Sequence, residues 1–210
     1  MDALERYIET HTTEEDPLLR ELDRETHLRV VQPRMISGHL QGRLLEMLVR
    51  MIRPRRILEI GTFTGYSAIC MARGLEEGGV LHTIEIDDEL ESLSSKYFAL
   101  SGLQDKIVAH TGPALDIAPR LGMRFDLIFI DADKREYPAY YRMAMDSLVE
   151  SGSYLLADNI LWYGKVAQET PASDRQSQGI KTFNDMVMQD ERVENIILPI
   201  RDGLNLIRVK

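Results

Sequence analysis

The chain has 210 residues, 44% of them apolar, a formal net charge of −9 and one cysteine, Cys70. That length suits one substantial core, so a single domain over residues 1–210 is expected, with a helical cap over 1–53 and an α/β core over 54–210. The acidic balance argues against general nucleic-acid affinity without excluding a local basic groove, the lone cysteine excludes an internal disulfide, and the charged Met1–Tyr7 stretch with no long apolar run anywhere points to a cytoplasmic protein rather than a membrane or secreted one.

In chain order, Thr13 followed by Asp16, with Pro17 early in the turn, predicts a helix running to about Val31. Ser37 can cap the next helix, whose Leu40, Leu44, Leu48 and Met51 would line one face before Pro54 ends it. Five short apolar runs then read as strands: Arg56–Ile60, Val80–Ile84, Lys106–His110, Phe125–Ile130 and Tyr154–Ala157. Helices fall between them. One runs from Asp88 to Leu100 with Leu90, Leu93, Tyr97 and Leu100 on a stripe; another follows Lys134 with Tyr137, Tyr141, Ala144, Met145 and Leu148 inward. Leu161 to Gly179 has no clear period and reads as a long loop, followed by a helix around Ile180 to Met188. Asp202-Gly203 between the apolar runs Asn195–Ile200 and Leu204–Val209 predicts a hairpin, with Pro199 favouring an edge. The fold class is therefore α/β: a doubly wound, mostly parallel sheet with a C-terminal antiparallel hairpin and an N-terminal helical cap.

Gly61-Thr62-Phe63-Thr64-Gly65-Tyr66-Ser67 directly follows the first strand and opens a helix, where the backbone turns sharply and a ligand can approach. The spacing is not Gly-x-Gly-x-x-Gly, and Glu59 beside the turn would repel phosphates but suit an ammonium. Glu85, at the end of the second strand, can accept hydrogen bonds from a ribose diol. These features fit a cationic adenosine-containing ligand better than NAD; the alternatives are an empty tight turn and a solvent-facing acid competing with Asp87 and Asp88.

The fourth strand runs into Asp131-Ala132-Asp133-Lys134 and the fifth into Asp158-Asn159, so both acidic groups lie at carboxyl ends of strands. If these strands are neighbours, about 5 Å separates their backbones, and Asp131, Asp158 and Asn159 can converge on one Mg²⁺, Ca²⁺ or Mn²⁺. Helix capping by the two aspartates is the plainer alternative. Lys134, near such a cation and a desolvated pocket, can accept a proton from a bound hydroxyl, or can be a surface lysine at a helix start. The five histidines show no metal-ligand spacing. Trp162 and Tyr163 follow Asn159 closely enough to wall a pocket, and Cys70 reads as a buried small apolar residue.

Leu58–Ser67, Phe129–Lys134, Asp158–Gly164 and Asp202–Leu204, in this order and spacing, resemble the caffeoyl-CoA and catechol O-methyltransferase family from about Gln32 to the end. The resemblance implies S-adenosylmethionine as cofactor, with Glu59, Gly61, Thr62, Ser67 and Ser37 at its methionine end, Glu85 at the ribose and Ala114 by the adenine. It implies Asp131, Asp158 and Asn159 as ligands of a divalent cation, Asp133 and Tyr140 lining the pocket, Asp131 and Lys134 in catalysis with Lys134 as base, and a homodimer. Ser153 after Gly152, and Met35-Ile36-Ser37-Gly38, depart from the usual pattern; neither touches the proposed chemistry, and they bear only on the local shape of the cofactor entrance.

The resulting expectation is methyl transfer to a hydroxyl of a small catechol-like or phenolic acceptor. One rival acceptor is a hydroxylated uridine of transfer RNA. A non-catalytic nucleoside-cofactor-binding protein is disfavoured by the Asp131, Lys134, Asp158 and Asn159 set, and an NAD-dependent reductase by the missing Gly-x-Gly-x-x-Gly.

Overall fold

The computed structural model describes residues 3–210. Met1 and Asp2, which begin the charged stretch noted above, lie outside the described residues.

Among the described residues the cap comprises α1 (Ala3–Thr10), α2 (Pro17–Arg29) and α3 (Gly38–Ile52). No element is predicted for α1, although Leu4, Tyr7 and Ile8 repeat at helical spacing. Helix α2 starts as expected, with the Asp16 carboxylate accepting from Leu18 N–H at 2.8 Å. Ser37 occupies the cap position of α3 but is itself in helical conformation and makes no side-chain capping bond, which corrects the expected role.

The predicted inward face of α3 is also corrected. Leu40 and Met51 are 37% and 75% exposed, whereas Gln41, Gly42, Leu45, Glu46 and Val49 are buried. Size explains the rotation. A Cβ at Gly42 would lie 2.6 Å from the Tyr66 ring and 2.7 Å from Cys70 Sγ, so the glycine lets α3 close on α4 (Tyr66–Gly74). The small residue chooses the face in preference to the leucine stripe.

Seven strands form one sheet: β1 (Arg56–Ile60), β2 (Val80–Glu85), β3 (Ile107–Thr111), β4 (Leu127–Ile130), β5 (Tyr154–Asp158), β6 (Val193–Leu198) and β7 (Leu204–Val209). Their order is β3-β2-β1-β4-β5-β7-β6, with β1 to β5 parallel and β7 antiparallel to both neighbours. The hairpin turns at Arg201-Asp202-Gly203 as predicted, and Pro199 sits just past the edge strand β6.

The crossovers are α4, α5 (Glu91–Ser101), α6 (Ala114–Arg120) and α7 (Tyr137–Met143), the last continuing into a wider helical turn over Ala144–Leu148. The predicted stripe of α5 is corrected: Ser94, Tyr97 and Phe98 are buried and Leu100 is 57% exposed. Helix α8 (Arg175–Gln189) begins earlier than predicted, at Asp174, whose carboxylate accepts from Ser177 N–H and Oγ–H. With a short 3-10 segment at Trp162–Ala167, this shortens the expected structureless loop. Along the strands, Leu58, Ile60, Ile128 and Ile130 face the layer of α6, α7 and α8, while Ile57, Leu127 and Phe129 face that of α3, α4 and α5. Among the described residues no helix is long and apolar enough to cross a membrane.

Candidate active site

The carboxyl ends of β1, β2, β4 and β5 lie side by side, and the loops leaving them extend the ladder. Gly61 N–H donates to Ile84 O, and Asp131 N–H to Ile60 O, both at 2.9 Å. Gly61 has φ 101, and a Cβ there would overlap the Asp131 carbonyl, so only glycine lets these two loops meet.

Glu59 shares its face with Ile57 and is completely buried. It accepts hydrogen bonds of 2.5 Å from both Ser67 Oγ and Thr83 Oγ1, and Thr83 Oγ1 also lies 2.5 Å from Thr62 Oγ1. Burial pushes its carboxyl up to about 8, against the pull of the two hydroxyls. Thr62 and Ser67 are thus joined to Glu59 beneath the turn. Glu85 organises the turn from the other side: its carboxylate accepts from Phe63 N–H at 2.7 Å, from Ile86 N–H at 2.9 Å and from Asp87 N–H at 3.1 Å. Asp87 is used differently, capping the turn at Glu89. Ala114 starts α6 just past the end of β3, where Gly112 N–H donates to Glu85 O at 2.7 Å.

Ile130 pairs with Ala157, so Asp131 and Asp158 occupy the next positions on adjacent strands, with backbones about 5 Å apart. Lys134 is 7% exposed and donates from Nζ to Asp131 Oδ1 at 2.8 Å and to Tyr137 Oη at 2.7 Å. Asp158 accepts from Asn159 N–H at 2.8 Å, with Asn159 itself in the left-handed region at φ 58. Burial first, then the neighbouring Asp131 charge, raises Asp158 to about 6. The Lys134 ammonium pairs with the half-buried Asp131 and lies near the buried Asp158, so two carboxylates share one cation; the leftover negative charge, with hard oxygen donors from Asp131, Asp158 and Asn159, suits a dication. The set contains two acids and an amide; among the described residues no three His, Cys, Asp or Glu side chains group as a metal site.

Asp133 and Tyr140 flank this centre with partners of their own. Asp133 is gripped by the Arg135 guanidinium and backbone, which hold its carboxyl below the usual range. Tyr140 is buried and donates to Glu136 at 2.6 Å. Ser37 lies beside the Ile36 carbonyl, to which Arg201 donates.

Three residues of the centre have no signal in local sequence for the part they play there. Tyr137, read only as an inward helix residue, donates toward Ile130 O at 3.1 Å and Asp158 O at 2.9 Å, tying the ends of β4 and β5 to Lys134. Burial and the two aspartates keep its phenol well above its ordinary range, hence neutral. Gln41 donates to Asp158 Oδ2 at 2.7 Å, and Arg201 donates to Gln41 Oε1 at 3.0 Å. The expectation for Ser153 is corrected: it lies at the start of β5, the opposite sheet edge, where its Oγ–H donates to Phe125 O at 2.9 Å. His82 and His110 face each other across β2 and β3 at 3.0 Å, and burial pushes the Cys70 thiol up.

The family model described as O-methyltransferase matches residues 9–210. A catechol O-methyltransferase of Niastella koreensis is 37% identical over 81% of this chain and 80% of its own length. A caffeoyl-CoA O-methyltransferase of Petroselinum crispum is 31% identical over 99% of this chain and 90% of its own length. The O-methyltransferase TomG of Streptomyces achromogenes, solved in complex with S-adenosylmethionine, superposes with a TM-score of 0.90 at 32% identity over 100% of both chains.

Proposed function

Because the chain belongs to this O-methyltransferase family, we propose that it transfers a methyl group from S-adenosylmethionine to a hydroxyl of a small catechol-like or phenolic acceptor, with a divalent cation held by Asp131, Asp158 and Asn159. The observation that carries this reading is the buried Lys134 ammonium, fixed by Asp131 and Tyr137 at the strand ends beside Asp158.

The cofactor would supply a methyl group on a sulfonium, and the dication would lower the cost of ionising the acceptor hydroxyl. The chain's own residues do the rest. Gly61 opens the turn to the methionine end, where Glu59, Thr62, Ser67 and Ser37 hold the amino acid; Glu85 holds the ribose, Ala114 borders the adenine, and Asp133 and Tyr140 wall the pocket. Lys134 Nζ takes the hydroxyl proton when it enters the step as the free amine, its ammonium having first given one proton to solvent: its two N–H bonds go to Asp131 and Tyr137, which leaves the lone pair to face the acceptor. Holding methyl donor and acceptor in line supplies much of the acceleration.

In this reading residues 1–210 form one catalytic unit with 1–53 as its cap, working in the cytoplasm as a homodimer. The cap supports the pairing by exposing Leu28, Val31, Met47 and Met51, at 73%, 83%, 54% and 75%.

The test is an acceptor screen with labelled methyl donor, offering a small catechol and transfer RNA, with Mg²⁺ and with a chelator. The expected result is label on the catechol with Mg²⁺, loss of transfer in the chelator, and the same loss in Asp158→Ala while cofactor binding survives. Full activity in the chelator overturns the cation assignment, and label on transfer RNA alone overturns the acceptor.

A further inference from the structure

The turn between β6 and β7 sends a side chain back into the crevice. Arg201, at φ 51, donates from Nη1 to Gln41 Oε1 at 3.0 Å, and from Nη1 and Nη2 to Ile36 O at 3.3 Å. Gln41 then donates from Nε2 to Asp158 Oδ2 at 2.7 Å. Gln41 and Asp158 are 2% and 3% exposed, so water offers little substitute for either bond.

The order of donors fixes the chain of contacts. A guanidinium has no acceptor, so only the carbonyl end of the Gln41 amide can face Arg201. That forces the NH₂ end toward Asp158. With Oδ2 held by Gln41 and Oδ1 by Asn159 N–H, the plane of the Asp158 carboxylate is set, and each oxygen keeps a lone pair for a further partner. Neither contact is local, because the glutamine comes from the cap and the arginine from the C-terminal hairpin.

We propose that Gln41 and Arg201 are positioning residues: Arg201 orients the Gln41 amide, Gln41 orients the Asp158 carboxylate for a dication, and Arg201 separately holds the Ile36 carbonyl beside Ser37 at the cofactor's methionine end. The inference rests on the reading of Asp131, Asp158 and Asn159 as cation ligands. It assigns the two residues different signatures, since the Gln41 amide reaches Asp158 and Arg201, whereas Arg201 also reaches Ile36.

The experiment measures Mn²⁺ affinity from the electron paramagnetic resonance of the free ion, and S-adenosylhomocysteine affinity by calorimetry. Gln41→Met keeps length and apolar contact but removes the donor; Arg201→Met removes both sets of bonds. Gln41→Met is expected to weaken Mn²⁺ by about tenfold or more with S-adenosylhomocysteine affinity unchanged, because partners that orient a metal ligand typically matter on that scale. Arg201→Met is expected to weaken both, and the double variant to bind Mn²⁺ no worse than Gln41→Met, as two steps of one path should. Arg201→Lys, which keeps the charge and a donor, should restore part of the loss and stands in if Arg201→Met does not fold. Asp158→Ala is the control for the site. If it abolishes Mn²⁺ binding while Gln41→Met binds like the unsubstituted protein, the positioning role is overturned. Equal loss of both ligands in Gln41→Met overturns it as well. Absence of Mn²⁺ binding in the unsubstituted protein, or undiminished binding in Asp158→Ala, overturns the cation reading and this inference with it.

Discussion

On the β1–β2 side of the crevice the buried acid is Glu59, and its partners are neutral hydroxyls from Ser67 and Thr83. On the β4–β5 side the buried acid is Asp158, held by Gln41 and Asn159 N–H, and beside it the half-buried Asp131 pairs with the Lys134 ammonium. Hydroxyls stabilise a carboxylate without supplying charge, so burial prevails and Glu59 rises to about 8. Burial and then the Asp131 charge raise Asp158 only to about 6, because Gln41, the nearby Lys134 charge and Asn159 N–H limit the rise. Near pH 7 Glu59 is therefore neutral, while the β4–β5 side holds the Lys134–Asp131 ion pair next to Asp158.

Removing the ammonium gives the largest expected effect on this contrast. In Lys134→Met, turnover should fall about 10²- to 10⁴-fold, the range a positioned general base contributes, with cofactor affinity largely retained because Glu59 and the glycine turn are untouched. Single-turnover transfer of labelled methyl, with cofactor affinity measured separately, checks this. Turnover within a few-fold of the unsubstituted chain would remove Lys134 from the chemistry and leave it as a counter-charge for Asp131.

What the sequence discloses about the two halves differs for the same reason. Glu59, the glycine turn and Glu85 sit within or beside one strand–turn–helix unit, so local order reveals them. Asp131, Lys134, Asp158 and Asn159 follow from knowing that two apolar runs are adjacent strands. The alternating elements and the Asp202-Gly203 turn make that topology legible, and the sheet has it. Gln41 and Arg201 are different. Their bonds span the chain from cap to hairpin, and neither belongs to a local motif, so only tertiary packing brings them to Asp158. The α3 face is hidden for a related reason: apolar periodicity favours Leu40, Leu44 and Leu48, but close approach through Gly42 decides. Tyr137 carries an inward signal, yet its hydroxyl's role depends on the carbonyls of two other strands.

The charge state of Glu59 gives the next largest effect. An ammonium or sulfonium favours the carboxylate, so cofactor binding should release a proton below about pH 8, and affinity should climb by up to about tenfold per pH unit from 6 towards 8, then level off. Stability of the empty chain moves the other way. The folded carboxyl titrates above its ordinary 4.5, so the unfolded chain holds fewer protons in that window, and stability declines as pH rises from 4.5 to about 8. Calorimetry in buffers of different ionisation enthalpy counts the released proton. A count of zero at pH 6.5 would mean that Glu59 does not change its charge on binding, which removes it from the cofactor's recognition.

The smallest effect comes from deleting a single hydroxyl on the β1–β2 side. Thr83→Val keeps the strand and its β-branched shape but leaves Glu59 with Ser67 alone and takes away the partner of Thr62. A buried polar group left short of a hydrogen bond costs about 1–3 kcal/mol, so urea unfolding should show a loss in that range at pH 8, where the carboxylate is the form that needs the donor. The loss should shrink at pH 5, because a protonated Glu59 depends less on receiving hydrogen bonds. The same substitution weakens the pull toward the charged form, so the rise of cofactor affinity with pH should shift upward, while the Mn²⁺ affinity of the Asp158 side stays where it was. If the loss is the same at both pH values, Thr83 contributes packing and its hydrogen bond to Thr62, and the hydroxyls do not govern the charge on Glu59.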